Sequence, residues 1–254
     1  MNIGRTANPT LNTKAFQERT VSARAGVMTV QGTINKTFLL LLLIFAAAAY
    51  TWNQFYNAPD LATGASIVTK WMLIGGIGGF VVALVTVFKK SWAKITTPIY
   101  AVLEGLFLGG ISAYFEAQFQ GIVIQAVGLT FGTLFAMLFA YKTGMIKVTK
   151  KFRTGVMAAT GGIFVMYLVS FVLGLFGINV GFLHNSSILS IIISLVVIVI
   201  AAMNLVLDFD LIERGAQANA PKYMEWYAAF GLMVTLVWLY IEFLRLLSKI
   251  SSRN

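Results

Sequence analysis

The sequence contains no cysteine among its 254 residues, and His184 is its only histidine. Disulfides, thiolate metal sites and a cysteine nucleophile are therefore excluded. A single histidine also excludes haem held by two histidines and zinc sites built from several histidines and cysteines. We expect no bound cofactor, and the sequence leaves the residues of any metal site unknown.

Charged residues are scarce as well. They make up 11% of the chain, whereas hydrophobic residues make up 58% and the mean hydropathy is +0.82. An average soluble domain carries about a quarter charged residues. This composition excludes a soluble globular protein and predicts one whose main partner is the lipid bilayer.

Seven apolar segments follow a polar N-terminal region, and a transmembrane helix needs about 20 apolar residues. The segments lie at 38–52, 67–88, 95–115, 121–141, 155–176, 187–209 and 225–247. We predict an all-α integral membrane protein, with a polar, partly disordered cytoplasmic tail over 1–36 and a seven-transmembrane-helix bundle over 37–254. The first segment resembles the apolar part of a signal peptide, but the polar region before it is too long, so we predict a retained helix.

The formal net charge is +10. The basic residues lie mainly in the tail and between the apolar segments, and no nucleic-acid motif is present, so we predict no nucleic-acid partner. Fifteen of the 19 lysines and arginines fall on the side of the tail. This imbalance predicts a cytoplasmic N-terminus and a C-terminus outside.

Three pairs of glycines have the spacing that lets transmembrane helices approach closely, and we interpret them as packing faces. They are Gly75 with Gly79, Gly105 with Gly109, and Gly128 with Gly132.

Glu104 lies within the third apolar segment, six residues after Pro98. An ionisable residue at membrane depth costs about 2.5–3.5 kcal/mol on insertion scales and therefore needs a partner or a function. Its helical neighbours include no base, so a local ion pair does not explain it. Either it is an ion or proton site inside the bundle, or it bonds to a backbone group across the bundle.

Asp208 and Asp210 lie at the end of the sixth segment. Asp210 has Arg214 at i+4, which is a sufficient local partner, whereas Asp208 has Ile212 there. Small and polar residues form a stripe along the same helix: Ser187, Ser190, Ser194, Ala201 and Asn204. The stripe either lines a hydrated path, with Ser194 and Asn204 as pathway residues, or packs against a neighbouring helix.

Glu242 in the seventh segment has Arg245 at i+3, so a satisfied ion pair near the outer surface is one explanation for it. Thr235 lies on the same helical face, which makes that face partly polar. Enzymatic chemistry finds little support, because His184 falls in a loop and only the sixth segment carries aspartates. We therefore expect a protein that is not an enzyme.

Three segments together resemble the transmembrane Bax inhibitor motif family, in its bacterial branch. They are 103–109 (LEGLFLG), 205–212 (LVLDFDLI) and 239–247 (LYIEFLRLL). The resemblance implies six helices around a central seventh, a bacterial inner-membrane location, and a pH-sensitive calcium leak controlled by aspartates on helices 6 and 7. Asp208 matches the helix 6 aspartate. At the helix 7 position this chain offers Thr235 or Glu242, and depth along the helix favours Thr235.

From these features we expect a passive, pH-modulated leak for cations, with calcium as the permeant ion. Asp208 is expected at the cytoplasmic mouth, where Lys89 or Lys90 would approach it in a closed state. The alternative is a non-conducting regulator that binds another membrane protein, such as a quality-control protease.

Overall fold

The computed structural model describes residues 26–177 and 185–253. The tail before residue 26 and the loop that holds His184 lie outside the described residues. Within these ranges seven α-helices follow one another: α1 Val30–Tyr56, α2 Leu61–Phe88, α3 Ala93–Gln118, α4 Ile122–Lys142, α5 Lys150–Leu175, α6 Ile188–Gln217 and α7 Met224–Ser251. A short 3₁₀ turn, Lys90–Trp92, leads into α3. All seven are long and apolar enough to cross a membrane, which confirms the predicted class.

Helix α1 begins eight residues before its apolar segment, inside the predicted tail. The Thr29 side chain caps it by accepting a hydrogen bond from the Gly32 amide at 2.9 Å. Helix α6 likewise runs on to Gln217, well past the end of the apolar segment at 209. Both extensions are polar, so hydropathy alone places the ends of these two helices wrongly.

Helix α7 is the centre of the bundle. Its most apolar stretch is 61% buried, a larger share than in any other described helix, because α1, α3, α4 and α6 all pack against it. Helix α2 packs on α1 and α3, and α5 packs on α6. The central position that the family resemblance implies for helix 7 is confirmed.

Close packing of α3 against α1 and α2 depends on glycine. A side chain at Gly109 would place its Cβ 2.3 Å from the Ala48 carbonyl oxygen, and one at Gly75 would place it 2.4 Å from the Leu103 carbonyl oxygen. These two packing faces are as predicted. The packing face predicted at Gly128 and Gly132 is wrong, because no neighbouring part of the described chain lies within 4 Å of a Cβ added at either glycine.

The helix ends on the side where α1 begins, here called the tail side, are joined by buried ion pairs. Glu225 on α7 is fully buried and bonds to Lys36 of α1, to Lys222, and to the backbone and side chain of Thr29. Just before α1, the Met28 amide donates to the Ala220 carbonyl at 2.7 Å. The start of α1 is thus fastened to the loop between α6 and α7.

A second ion-pair cluster joins α5 to α6 on the same side. Asp210 is buried and accepts hydrogen bonds from Arg153 at 2.6 Å and from Arg214 at 2.9 Å. The predicted Asp210–Arg214 pair is confirmed, and Arg153 is an additional partner from α5. These charges stabilise the polar last turns of α6.

Candidate ion pathway

Two cavities follow one face of α7. The larger, of about 890 Å³, lies toward the C-terminal side between α3, α5, α6 and α7. The smaller, of about 500 Å³, lies toward the tail side between α2, α3 and α7. Together they line α7 from Phe230 to Lys249, about 29 Å of helix, which approaches the hydrocarbon thickness of a bilayer. We call the two cavities together the α7 cleft.

Glu104 lines both cavities and therefore lies between them. Its side chain is half-buried, and the Tyr100 hydroxyl one turn earlier is its hydrogen-bond partner. One carboxylate oxygen approaches Gly79 of α2 so closely that an added Cβ would be 3.2 Å from it. Among the described residues no lysine or arginine pairs with Glu104. The absence of a local base agrees with the sequence.

Asp208 faces Thr235 across the contact between α6 and α7. The Thr235 hydroxyl donates to Asp208 Oδ2 at 2.6 Å and lies 3.2 Å from the carbonyl oxygen of Gly231. The other carboxylate oxygen lies near Gly231, which lines the smaller cavity. Of the two helix 7 residues considered for this place, the structure brings Thr235 to Asp208.

Helix α6 continues further beyond Asp208 than the sequence predicts. Asp208 is nine residues, about 14 Å of helix, before the end of α6. Lys89 lies over the Trp92 ring at 4.4 Å and Lys90 over the Tyr227 ring at 5.1 Å. Neither lysine forms an ion pair with Asp208 in the described part of the chain.

Glu242 lies two turns beyond Thr235 on α7, in the C-terminal-side part of the cleft. Its side chain is 1% exposed. One oxygen, Oε1, accepts hydrogen bonds from the Tyr167 hydroxyl at 2.9 Å and from Arg245 at 3.2 Å. The other oxygen, Oε2, is buried and has no hydrogen-bond partner. The predicted pair with Arg245 is present, but it satisfies only half of the carboxylate.

The sequence model of a protein family described as Bax inhibitor 1 like matches residues 8–252 of the chain. The chain belongs to this family. The resemblance drawn from three short segments is thereby confirmed over the whole membrane domain. No curated protein and no solved structure matches the chain.

The polar stripe of α6 has several uses in this Bax inhibitor 1-like bundle. Ser194 lines the larger cavity and accepts a hydrogen bond from Lys249 at 2.8 Å. Asn204 donates to Thr160 at 2.7 Å and so joins α6 to α5. Ala201 packs in the core. The stripe is thus partly cavity lining and partly packing surface, and the packing explanation is the one that the contacts of Asn204 and Ala201 support.

Three residues of the α7 cleft were not singled out from the sequence of this Bax inhibitor 1-like chain. They are Tyr100, Tyr167 and Lys249. Tyr100 precedes Glu104 by four residues, a spacing that places the two side chains together on a helix and could have identified it. Tyr167 contacts Glu242, and Lys249 contacts Ser194, only because different helices pack together. No local spacing in the sequence therefore identifies these two residues.

Proposed function

We propose that the protein is a passive, pH-modulated cation leak of the bacterial inner membrane, with calcium as the permeant ion. The observation that carries this proposal is the position of Glu104 between two cavities that follow α7. A carboxylate with no paired base, placed in a cleft nearly as long as the hydrocarbon core, is typical of an ion or proton pathway.

The oxygen atoms along the cleft suit a hard cation, which prefers carboxylate, hydroxyl and water ligands. Within the described residues no group of three or more acidic or metal-binding side chains comes together. Cation binding is therefore expected to be weak. Weak binding at separate positions is what conduction requires, because an ion must also leave each of them.

Asp208 is proposed as the pH-responsive group. An ionised carboxylate accepts the Thr235 hydrogen bond strongly, whereas protonation removes its charge and weakens that bond. This bond holds α6 against the α7 segment that borders the smaller cavity. Acid is therefore expected to loosen the contact and to increase the leak.

The charge imbalance between the two sides supports a cytoplasmic N-terminus and a C-terminus outside. Most of the basic residues lie on the tail side, together with the buried ion pairs of Glu225 and Asp210. In that orientation the larger cavity faces outward and the smaller one faces the cytoplasm.

Purified protein in liposomes loaded with calcium and a calcium-sensitive dye tests the proposal. A leak requires only this chain, so calcium release should depend on the amount of protein and should increase as the external pH falls from 8 to 5. Protein-free liposomes and liposomes with heat-unfolded protein are the controls. If folded protein gives no release above these controls, the proposal is wrong and the alternative of a non-conducting regulator of another membrane protein is favoured.

A further inference from the structure

Glu242 is the one buried side chain in the described part of the protein with an oxygen that lacks any hydrogen-bond partner. A buried polar atom without a partner is costly, so native structures rarely keep one without a reason. Glu242 also lines the larger cavity, where a small ligand can reach a carboxylate. The unpaired oxygen therefore indicates a site for a ligand that offers positive charge.

The basic side chain that contacts Glu242 is Arg245, and the contact between them is weak. Arg245 makes one hydrogen bond to Glu242 at 3.2 Å, its side chain is 44% exposed, and its guanidinium lies over the Tyr167 ring at 5.1 Å. A bidentate arginine–carboxylate pair would occupy both oxygens. Arg245 thus leaves the second carboxylate oxygen without a partner, and its own long side chain is only half-buried.

Lys249, the other cation beside this cavity, bonds elsewhere. Its ammonium donates to Ser194 at 2.8 Å and to the Ser190 carbonyl at 3.3 Å, both on α6. Its charge still lowers the affinity of the neighbourhood for cations, and the site offers only one carboxylate. A cation there is bound weakly and keeps most of its water, as befits a site that ions pass through.

We propose that Glu242 is a cation-binding site in the C-terminal-side part of the α7 cleft and that Arg245 is a tethered competitor for it. A hard cation such as calcium binds the free carboxylate oxygen and displaces the guanidinium, and the guanidinium returns when the cation leaves. This inference rests on the proposed cation leak and adds to it a second binding position, about two turns before the cleft ends at Lys249.

Terbium luminescence tests the site without any measurement of flux. Tb³⁺ prefers the same oxygen ligands as calcium and emits when a nearby tryptophan is excited. Trp238 lines the same cavity as Glu242, so it serves as a built-in donor. Titration of detergent-solubilised protein with Tb³⁺ should give a saturable signal that Trp238→Phe largely removes and that calcium competes away.

Substitutions of Glu242 and Arg245 should change the affinity for Tb³⁺ in opposite directions. Glu242→Gln should weaken Tb³⁺ binding at least about tenfold, and Arg245→Gln should strengthen it by about the same factor, because each tenfold step corresponds to loss or gain of one modest charge interaction. Arg253→Gln removes the same charge from an exposed position two residues beyond the end of the same helix and should leave binding unchanged. Size-exclusion profiles check that each variant is folded.

The proposal is overturned if Arg245→Gln binds Tb³⁺ no better than the unaltered protein. It is also overturned if Glu104→Gln abolishes the signal while Glu242→Gln keeps it, since the cation would then bind at Glu104. The two proposals can fail separately. Calcium release without terbium binding at Glu242 contradicts only this inference, and terbium binding without release contradicts only the leak.

Discussion

The carboxylates of the membrane domain differ in their partners. Glu225 and Asp210 each contact two basic side chains, as structural ion pairs do. Glu104, Asp208 and Glu242 instead contact hydroxyl groups, and of these three only Glu242 also contacts a base. The hydroxyl partners are Tyr100, Thr235 and Tyr167. Carboxylates without full charge compensation keep capacity for a proton or a cation, so we expect substitution of these three residues to affect function.

Glu104→Gln keeps the size and hydrogen-bonding capacity of the side chain but removes its charge. We expect a folded protein whose calcium release is reduced about tenfold or more, because the position between the two cavities then lacks its carboxylate. Release per folded molecule is measured in liposomes, and thermal stability is measured in detergent. Reduced stability with unchanged release per folded molecule would mean that Glu104 is structural.

Asp208→Asn imitates the protonated aspartate. We expect a high release rate that changes little between pH 5 and 8, whereas the unaltered protein should release more calcium as pH falls. Asp210→Asn is the control, because Asp210 bonds to Arg153 and Arg214 and its loss should chiefly reduce stability. If Asp208→Asn keeps the pH profile of the unaltered protein, the pH-responsive group lies elsewhere, with Glu104 or Glu242 as the next candidate.

Asp60 caps the start of α2 and is fully exposed. Hydrogen bonds from the backbone and side chain of Thr63 hold the pKa of its carboxyl below the usual value. A carboxyl with a lowered pKa in the folded state stabilises that state above its ordinary pKa, near 3.9, and this contribution is lost as pH falls further. Hydrogen exchange in the first turn of α2 should therefore lose protection below about pH 4. Asp60→Asn, a neutral cap, should show no such acid-dependent loss; equal losses in both proteins would exclude the cap as the cause.

At the scale of helices, hydropathy predicts seven segments and their order, because a bilayer imposes length and apolar character on every span. It places the ends of α1 and α6 wrongly by about two turns. Polar residues there are stabilised by capping and by ion pairs with other helices, for which Lys36 and Asp210 are examples. Such contacts form between residues far apart in sequence, so no window of local composition contains the information.

Glycine spacing is similarly ambiguous until the partner helix is known. Gly109→Ala places a methyl group against the Ala48 backbone and should destabilise the packing of α3 on α1 by about 1–3 kcal/mol. Gly128→Ala on α4 meets open space and should leave the unfolding midpoint unchanged or slightly higher. Thermal unfolding of both variants in the same detergent makes the comparison. Equal destabilisation would mean that Gly128 packs against another molecule.

The candidate site was only partly predictable for the same reason. Buried acids without a local base identified Glu104 and Asp208, and helical depth favoured Thr235 over Glu242 as the neighbour of Asp208. The position of Glu104 between two cavities and the free oxygen of Glu242 depend on α2, α3, α5 and α7 coming together. A sequence supplies the residues of such a site, whereas the fold decides which of them face one cleft.

At the scale of the whole molecule, the two ends of the bundle differ in charge. The tail side carries the buried ion pairs that fasten α1, α5, α6 and α7 together, along with eleven of the 15 basic residues in the described part of the chain. Basic loops stay on the cytoplasmic side because translocating them is unfavourable. With the tail side in the cytoplasm, as we propose, the end fixed by ion pairs faces the cytoplasm and the larger cavity faces outward.

Orientation can be measured directly because the chain has no native cysteine. Single cysteines at Ser91 and Lys147 lie in exposed connections on the tail side, and one at Asn185 lies in an exposed connection on the opposite side. The last two positions avoid Thr149 and Ser187, whose side chains cap α5 and α6.

In intact cells, a membrane-impermeant thiol reagent should label the cysteine at 185 alone. After permeabilisation all three should be labelled, which also shows that each variant is present and accessible. Labelling of the cysteines at 91 and 147 in intact cells, with protection at 185, would mean that the bundle has the opposite orientation, with the larger cavity and Glu242 facing the cytoplasm.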